Sequence, residues 1–182
     1  MNLANKLTLL RVVLVPVFMA LLLADGALFQ YAALAVFVIA SLTDMLDGQI
    51  ARRYNQTTTF GKFADPLADK MLTTAAFLVF MEQGIINSWA LIIILVREFA
   101  VSGVRLAAVS EGKVIAASFF GKFKTVAQMI AIIATILLMN IPAVPIGTGL
   151  HISAALIWIS KIFTVLSGAD YLIKNWNLMK LK

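Results

Sequence analysis

Six mostly apolar stretches run along the chain, at 7–24, 28–53, 62–82, 88–110, 121–139 and 150–173. Each approaches the about 20 residues that a helix needs to cross the hydrocarbon core of a bilayer. The segments between them alternate in charge. Lys6 precedes the first stretch, Arg52, Arg53 and Lys62 follow the second, Arg105, Lys113, Lys122 and Lys124 surround the fourth-to-fifth connection, and Lys174, Lys180 and Lys182 follow the sixth. The other connections, around Asp25, around Glu82 and across the Pro- and Gly-containing stretch from Asn140 to Gly149, hold no Lys or Arg. The pattern predicts an all-α integral membrane protein of six transmembrane helices, one domain over 1–182, with both termini cytoplasmic by the positive-inside rule.

Composition sharpens this. Of 182 residues 62% are hydrophobic and 13% charged, with a mean hydropathy of +0.95, more apolar surface than a soluble domain of this length can hide. No cysteine is present and His151 is the single histidine, which excludes a disulfide framework, thiolate metal sites and a histidine zinc cluster. The net charge of +6 is read, in a membrane protein, as directed at anionic headgroups and not at nucleic acid. Lys6 and Arg11 before an apolar run, with Ala24 and Gly26 after it, also form the outline of a cleaved signal peptide. Cleavage would leave an odd number of spans and break the charge alternation, so the first stretch is kept as a span.

Four of the nine acidic residues fall where the second stretch meets the third, in Asp44-x-x-Asp47-Gly48-x-x-Ala51-Arg52, eight residues, then Gly61-x-x-x-Asp65-x-x-x-Asp69. Spacings of three and four place Asp44 with Asp47, and Asp65 with Asp69, on one helix face each. Asn55 to Phe60, with three consecutive threonines, reads as the turn between antiparallel helices, so that the four carboxylates converge on one cleft. At about 1.5 Å per residue Asp44 falls roughly 24 Å from the outer end of a helix starting near Leu28, close to the cytoplasmic boundary. Asp65 and Asp69 fall about one and two turns inside a helix starting near Lys62. Unneutralised carboxylates at that depth repel one another and cost desolvation, and hard divalent ions such as Mg²⁺ or Mn²⁺ suit an all-oxygen donor set. Gly48 leaves backbone open on the metal-facing stripe, Ala51 continues it without bulk, and Arg52 brings a donor fork suited to phosphate. The competing structural reading makes these residues helix-packing ion pairs and small-residue contacts.

The spacing D-x2-D-G-x2-A-R-x8-G-x3-D-x3-D resembles, residue for residue, the signature of the CDP-alcohol phosphotransferase family. The resemblance implies a six-helix fold, usually a homodimer, in which two divalent metal ions held by Asp44, Asp47, Asp65 and Asp69 bind the pyrophosphate of CDP-diacylglycerol. It implies transfer of the phosphatidyl group to an alcohol, with Asp69 acting on the attacking hydroxyl either as general base or as the group that orients it. The family's nucleotide contacts carry over to Gly48, Arg52, Thr58 and Gly61. Asn5, Thr8 and Arg11 share one stripe of the first helix and look like the segment that covers the nucleotide, an interfacial helix start with a snorkelling Arg11 being the alternative.

The remaining intramembrane charges bear on the acceptor: Arg97 and Glu98 in the middle of the fourth stretch, Arg105 near its cytoplasmic end, and Lys122 and Lys124 opening the fifth. Arg97, Arg105, Lys122 and Lys124 together suit an acceptor that carries its own phosphate. Pairing of Arg97 with a carboxylate and snorkelling of the two lysines are the structural alternatives. The run from Arg97 to Arg105 with Gly121-Lys122-x-Lys124-Thr125 is similar to family members whose acceptor is sn-glycerol 3-phosphate, members acting on inositol phosphate also needing such cations. Lys161, His151 and Asp170 read as interfacial or packing residues. A divalent-metal transporter is the reading from another class, but such sites lie at the midplane of a repeat interface, and the chain shows no repeat.

Overall fold

A computed structural model describes residues 3–53, 59–110 and 119–175; the side chains of 3–5, 44–53, 59–67, 69, 107, 109 and 110 lie outside the description. Six helices follow in order: α1 Leu3–Leu23, α2 Ala27–Arg53, α3 Thr59–Glu82, α4 Ser88–Ser110, α5 Phe119–Asn140 and α6 Ile146–Lys174. Two starts differ from expectation. α3 begins at Thr59, so Thr59 and Phe60 are helical and not part of a turn, and residues 54–58 lie outside the described residues. α6 begins at Ile146 directly after extended Pro145, and the Gly149 N–H donates to the Pro145 carbonyl at 3.0 Å. Gly147 and Gly149 are therefore helix residues and not loop breakers. Gly149 serves close packing, since a Cβ there would lie 3.1 Å from the Leu138 carbonyl oxygen of α5.

The chain forms two compact units, Met1–Phe80 with Asn140–Pro142, and Met81–Met139 with Ala143–Lys182. In the first, α1 packs on α2. Thr8, Arg11, Val15, Phe18 and Leu22 recur every three or four residues as the buried stripe of α1, and Ala33, Phe37 and Ala40 form that of α2. The Phe18 and Phe37 rings meet at 5.7 Å. Gly26, at φ +110°, turns the chain where a side chain would be strained. Just beyond it Gln30 Nε2 donates to the Leu22 carbonyl at 2.7 Å, satisfying an orphan acceptor at the end of α1.

In the second unit α4 packs on α6. Asn87 and Ala90 share a cavity with Ala154 to Lys161, Arg97 meets Gly168 and Arg105 meets Tyr171, so α4 and α6 run parallel. Leu138 against Gly149 and Phe123 stacked on Phe163 at 6.1 Å set α5 antiparallel to α6. The buried face of α6 carries the small residues Gly149, Ser153, Ser160, Thr164, Ser167 and Gly168, with Ile157, Lys161 and Tyr171 among them. Thr164 and Ser167 turn their hydroxyls back to the Ser160 and Thr164 carbonyls at 2.8 and 3.0 Å. Small residues at an interface let helix backbones approach where no hydrophobic effect drives association.

The outward faces are apolar instead. Val13, Val96, Phe99 and Ile130 are all more than half exposed, the reverse of a soluble fold and the arrangement expected against lipid. Among the described residues three helices are long and apolar enough to cross a membrane, over Lys6–Leu23, Phe119–Asn140 and Ile146–Lys174. The described part of α2, Ala27–Thr43, is apolar as well. In α4 the three charges Arg97, Glu98 and Arg105 interrupt the apolar run.

Candidate functional site

The acidic motif rests on the helical backbone of α2 and α3. Asp44, Asp47, Gly48, Ala51 and Arg52 fall within Ala27–Arg53, and Gly61, Asp65 and Asp69 within Thr59–Glu82, so the three- and four-residue spacings act as helical spacings. Asp47 lies six residues from the end of α2 and Asp65 six from the start of α3, about 9 Å along each axis. Asp44 and Asp69 lie nine and ten residues in, about 14 and 15 Å. The two pairs thus occupy two matching levels counted from the 54–58 connection, and the earlier start of α3 sets Asp65 and Asp69 deeper than a start at Lys62 would. Among the described residues no group of three acids or histidines could hold a metal, and the side chains of the four aspartates lie outside them. Thr58 lies outside the described residues altogether.

α1 turns Thr8 and Arg11 inward, each 1% exposed, on the stripe that carries Val15 and Phe18. An arginine that snorkels keeps its guanidinium in water. Arg11 is instead buried. Asn5 is helical, with its side chain outside the description.

The structure divides the four expected acceptor cations. Lys124 is buried and forms an ion pair with Glu98, which also receives Arg97 Nη1 at 3.5 Å. Glu98 is itself 7% exposed, so one buried carboxylate ties together two cations from α4 and α5 and leaves the trio with one net positive charge. Gly168 of α6 completes the packing, since a Cβ there would lie 2.8 Å from Arg97 Cγ and displace its stem. Two turns along α4, Arg105 is exposed at residue level and sets its guanidinium over the Tyr171 ring, 5.8 Å from the centroid. Lys122 is exposed, and two residues from Lys124 it points about 200° away around the helix, so the two lysines do not share a face. α5 begins at Phe119, two residues before Gly121, which carries Lys124 into the second turn.

Gly168 and Tyr171 have no charge to mark them, and their signal was the small-residue period of α6. Glu98 was visible as an acid beside Arg97, but its partner Lys124 is 26 residues away. A buried ion pair contributes little net stability, because desolvation offsets the attraction. Holding two cations in fixed positions is what the arrangement does well.

The model of the CDP-alcohol phosphatidyltransferase family matches residues 1–166. The chain belongs to that family. It is 42% identical to the CDP-diacylglycerol–glycerol-3-phosphate 3-phosphatidyltransferase of Bacillus subtilis (strain 168), over 98% of this chain and 97% of that protein. A probable phosphatidylglycerophosphate synthase of Mycobacterium tuberculosis (strain H37Rv) is 41% identical, over 95% of this chain and 81% of its own length. A CDP-diacylglycerol–glycerol-3-phosphate 3-phosphatidyltransferase of Rickettsia typhi (strain Wilmington) is 35% identical, over 93% and 94%. Membership makes this chain an integral membrane transferase of phospholipid synthesis.

Proposed function

We infer that the chain transfers the phosphatidyl group of CDP-diacylglycerol to the primary hydroxyl of sn-glycerol 3-phosphate, giving phosphatidylglycerophosphate and CMP. The observation that carries the reading is similarity along essentially the whole chain to proteins named for this reaction, 42% identical over 98% of the chain in one case. The acceptor oxygen attacks the β-phosphorus in line, the bond from that phosphorus to the bridging oxygen of CMP breaks, and CMP leaves with the electron pair. Asp69 takes or orients the hydroxyl proton. Arg52, Gly48, Thr58 and Gly61, with Asn5 and Thr8 of α1, hold the nucleotide. Arg97 and Lys124, set by Glu98, hold the acceptor phosphate with Arg105, and exposed Lys122 draws the anion in.

Asp44, Asp47, Asp65 and Asp69 would hold two divalent ions, Mg²⁺ or Mn²⁺. The donor set is all oxygen, and two pairs at matching helical levels suit a bridged pyrophosphate. Such ions supply charge stabilisation to the transferring phosphoryl oxygens and the leaving group. The six helices form one catalytic domain that crosses the membrane six times, with both termini and the 54–58 connection cytoplasmic, and works as a homodimer. Arg52, Arg53 and Lys62 on either side of the 54–58 connection, and Lys113 between α4 and α5, support that orientation.

An acceptor screen tests the reading: CMP release from CDP-diacylglycerol by purified protein with glycerol 3-phosphate, inositol phosphate, serine or phosphatidylglycerol. Release is expected with glycerol 3-phosphate above all others. Preference for inositol phosphate would move the chain to another acceptor within its family. A cysteine at position 57, in a chain that has none, reports orientation by labelling from the cytoplasmic side alone.

A further inference from the structure

We propose that the cavity at the start of α4 binds the phosphate group of an anionic membrane lipid, with Lys161 as its cation. The cavity, about 90 Å³, is lined by Ile85, Asn87 and Ala90 at the head of α4 and by Ala154, Trp158 and Lys161 of α6, among others. That volume holds a small polyatomic anion and no acyl chain. None of the acceptor cations lines it: Arg97 lies 10 residues and Arg105 18 residues beyond Asn87 along the chain, about 15 and 27 Å.

Lys161 is 7% exposed, although a lysine is almost never buried unless paired. Its ammonium lies over the Trp158 ring, 3.0 Å from the centroid, a contact that neutralises no charge. No carboxylate or hydrogen-bond acceptor pairs with it among the described residues, and none of the lining residues is acidic. A buried cation with donors to spare, beside a cavity with no counter-charge, calls for an anion.

The head of α4 supplies a second attraction. Asn87 Oδ1 accepts the Ala90 N–H at 2.8 Å as the N-cap, while the Ser88 and Trp89 N–H groups have no carbonyl one turn back. The partial positive charge of the helix start therefore points toward the space that Lys161 lines.

Two exposed tryptophans identify the anion as a lipid phosphate. Trp89, the second residue of α4, is 76% exposed at a helix end, where indoles mark the membrane interface, and Trp158 beside the cavity is 60% exposed. They offer apolar surface to the glycerol and upper acyl carbons, which a free anion would leave unused. The absence of an acid from the lining leaves nothing to receive a choline or ethanolamine cation, so a headgroup without its own positive charge fits best.

The test uses the full-length protein, delipidated in detergent, with bound lipid counted by native mass spectrometry. Phosphatidylglycerol, phosphatidylcholine and inorganic phosphate are the three probes. Lys161→Gln removes the charge and should weaken phosphatidylglycerol binding about ten- to a hundredfold, with Lys161→Arg restoring it. CMP release by Lys161→Gln should stay at the wild-type level and reports that the variant is folded. If it is not folded, Ala154→Leu, which fills the cavity and keeps Lys161, is held to the same loss of binding. Unchanged phosphatidylglycerol affinity in the folded variant overturns the site. Equal retention of phosphatidylcholine overturns its selectivity, and competition by inorganic phosphate at concentrations equal to the lipid overturns the lipid assignment. CMP release tests the reaction and lipid retention tests the cavity, so failure of either is read separately.

Discussion

The two units of this protein bury different material. The described interior of the first unit is Val15, Phe18, Leu22, Phe37, Leu72, Phe77, Val79, Phe80 and several alanines, with Thr8 and Arg11 as its buried polar residues. The second buries Glu98, Lys124, Gln128, Thr135, Ser153, Ser160, Lys161, Thr164 and Ser167 along its length. Hydrogen bonds between membrane helices average only about 0.6 kcal/mol, so a polar interior of this kind is a weak route to stability. Its value lies in placing charges. The first unit bears its carboxylates by helical spacing on two consecutive helices, whereas the second assembles its cations from α4, α5 and α6.

The largest effects should come from the first unit. Asp44→Asn, Asp47→Asn, Asp65→Asn and Asp69→Asn should each lower turnover by about a hundredfold or more, and a chelator should abolish activity, since charge stabilisation dominates phosphoryl transfer. Full CMP release in excess chelator would remove the special place given to these four residues. Stability should barely change, because Asp→Asn leaves the apolar packing intact.

Next come the cations tied to Glu98. Lys124→Ala and Arg97→Ala each remove a charge-assisted contact worth roughly 1.5–3 kcal/mol, so the KM for glycerol 3-phosphate should rise about ten- to a hundredfold. The KM for CDP-diacylglycerol should hold, the pattern of lost ground-state binding. The reverse pattern would assign the second unit to the nucleotide.

Gly168→Ala should act through packing. The added Cβ would meet Arg97 Cγ at 2.8 Å, and overpacking costs about 1–3 kcal/mol, so the thermal midpoint should fall, with a rise in acceptor KM as Arg97 is displaced. A lowered midpoint with unchanged acceptor KM would separate the packing of Arg97 from its role. The smallest effect is expected at Lys122, whose exposed charge is worth at most about 1 kcal/mol, or roughly fivefold in acceptor KM and less at high salt. A loss as large as that of Lys124→Ala would show that burial does not rank these cations.

Much of this molecule is legible along the chain. Six helices follow from six apolar stretches, and the acidic motif needs only helical periodicity to be read. Where expectation and structure part, the reason is local: Pro145 starts α6 early, and Gly149 serves a close approach to Leu138 in place of a loop. Among the described residues three helices meet the length and apolarity of a span, and in α4 the run is interrupted by Arg97, Glu98 and Arg105.

The sequence by itself determined the helices, the membrane setting and the position of the four aspartates, because each follows from the period of a single helix and the length of an apolar run. Only the tertiary structure decided that Lys124 turns inward to Glu98 while Lys122 stays outside, that Gly168 makes room for Arg97, and that Lys161 lies buried beside an open cavity. Those facts depend on which faces of α4, α5 and α6 meet. That choice is made by contacts between residues far apart in the chain, which no local pattern records.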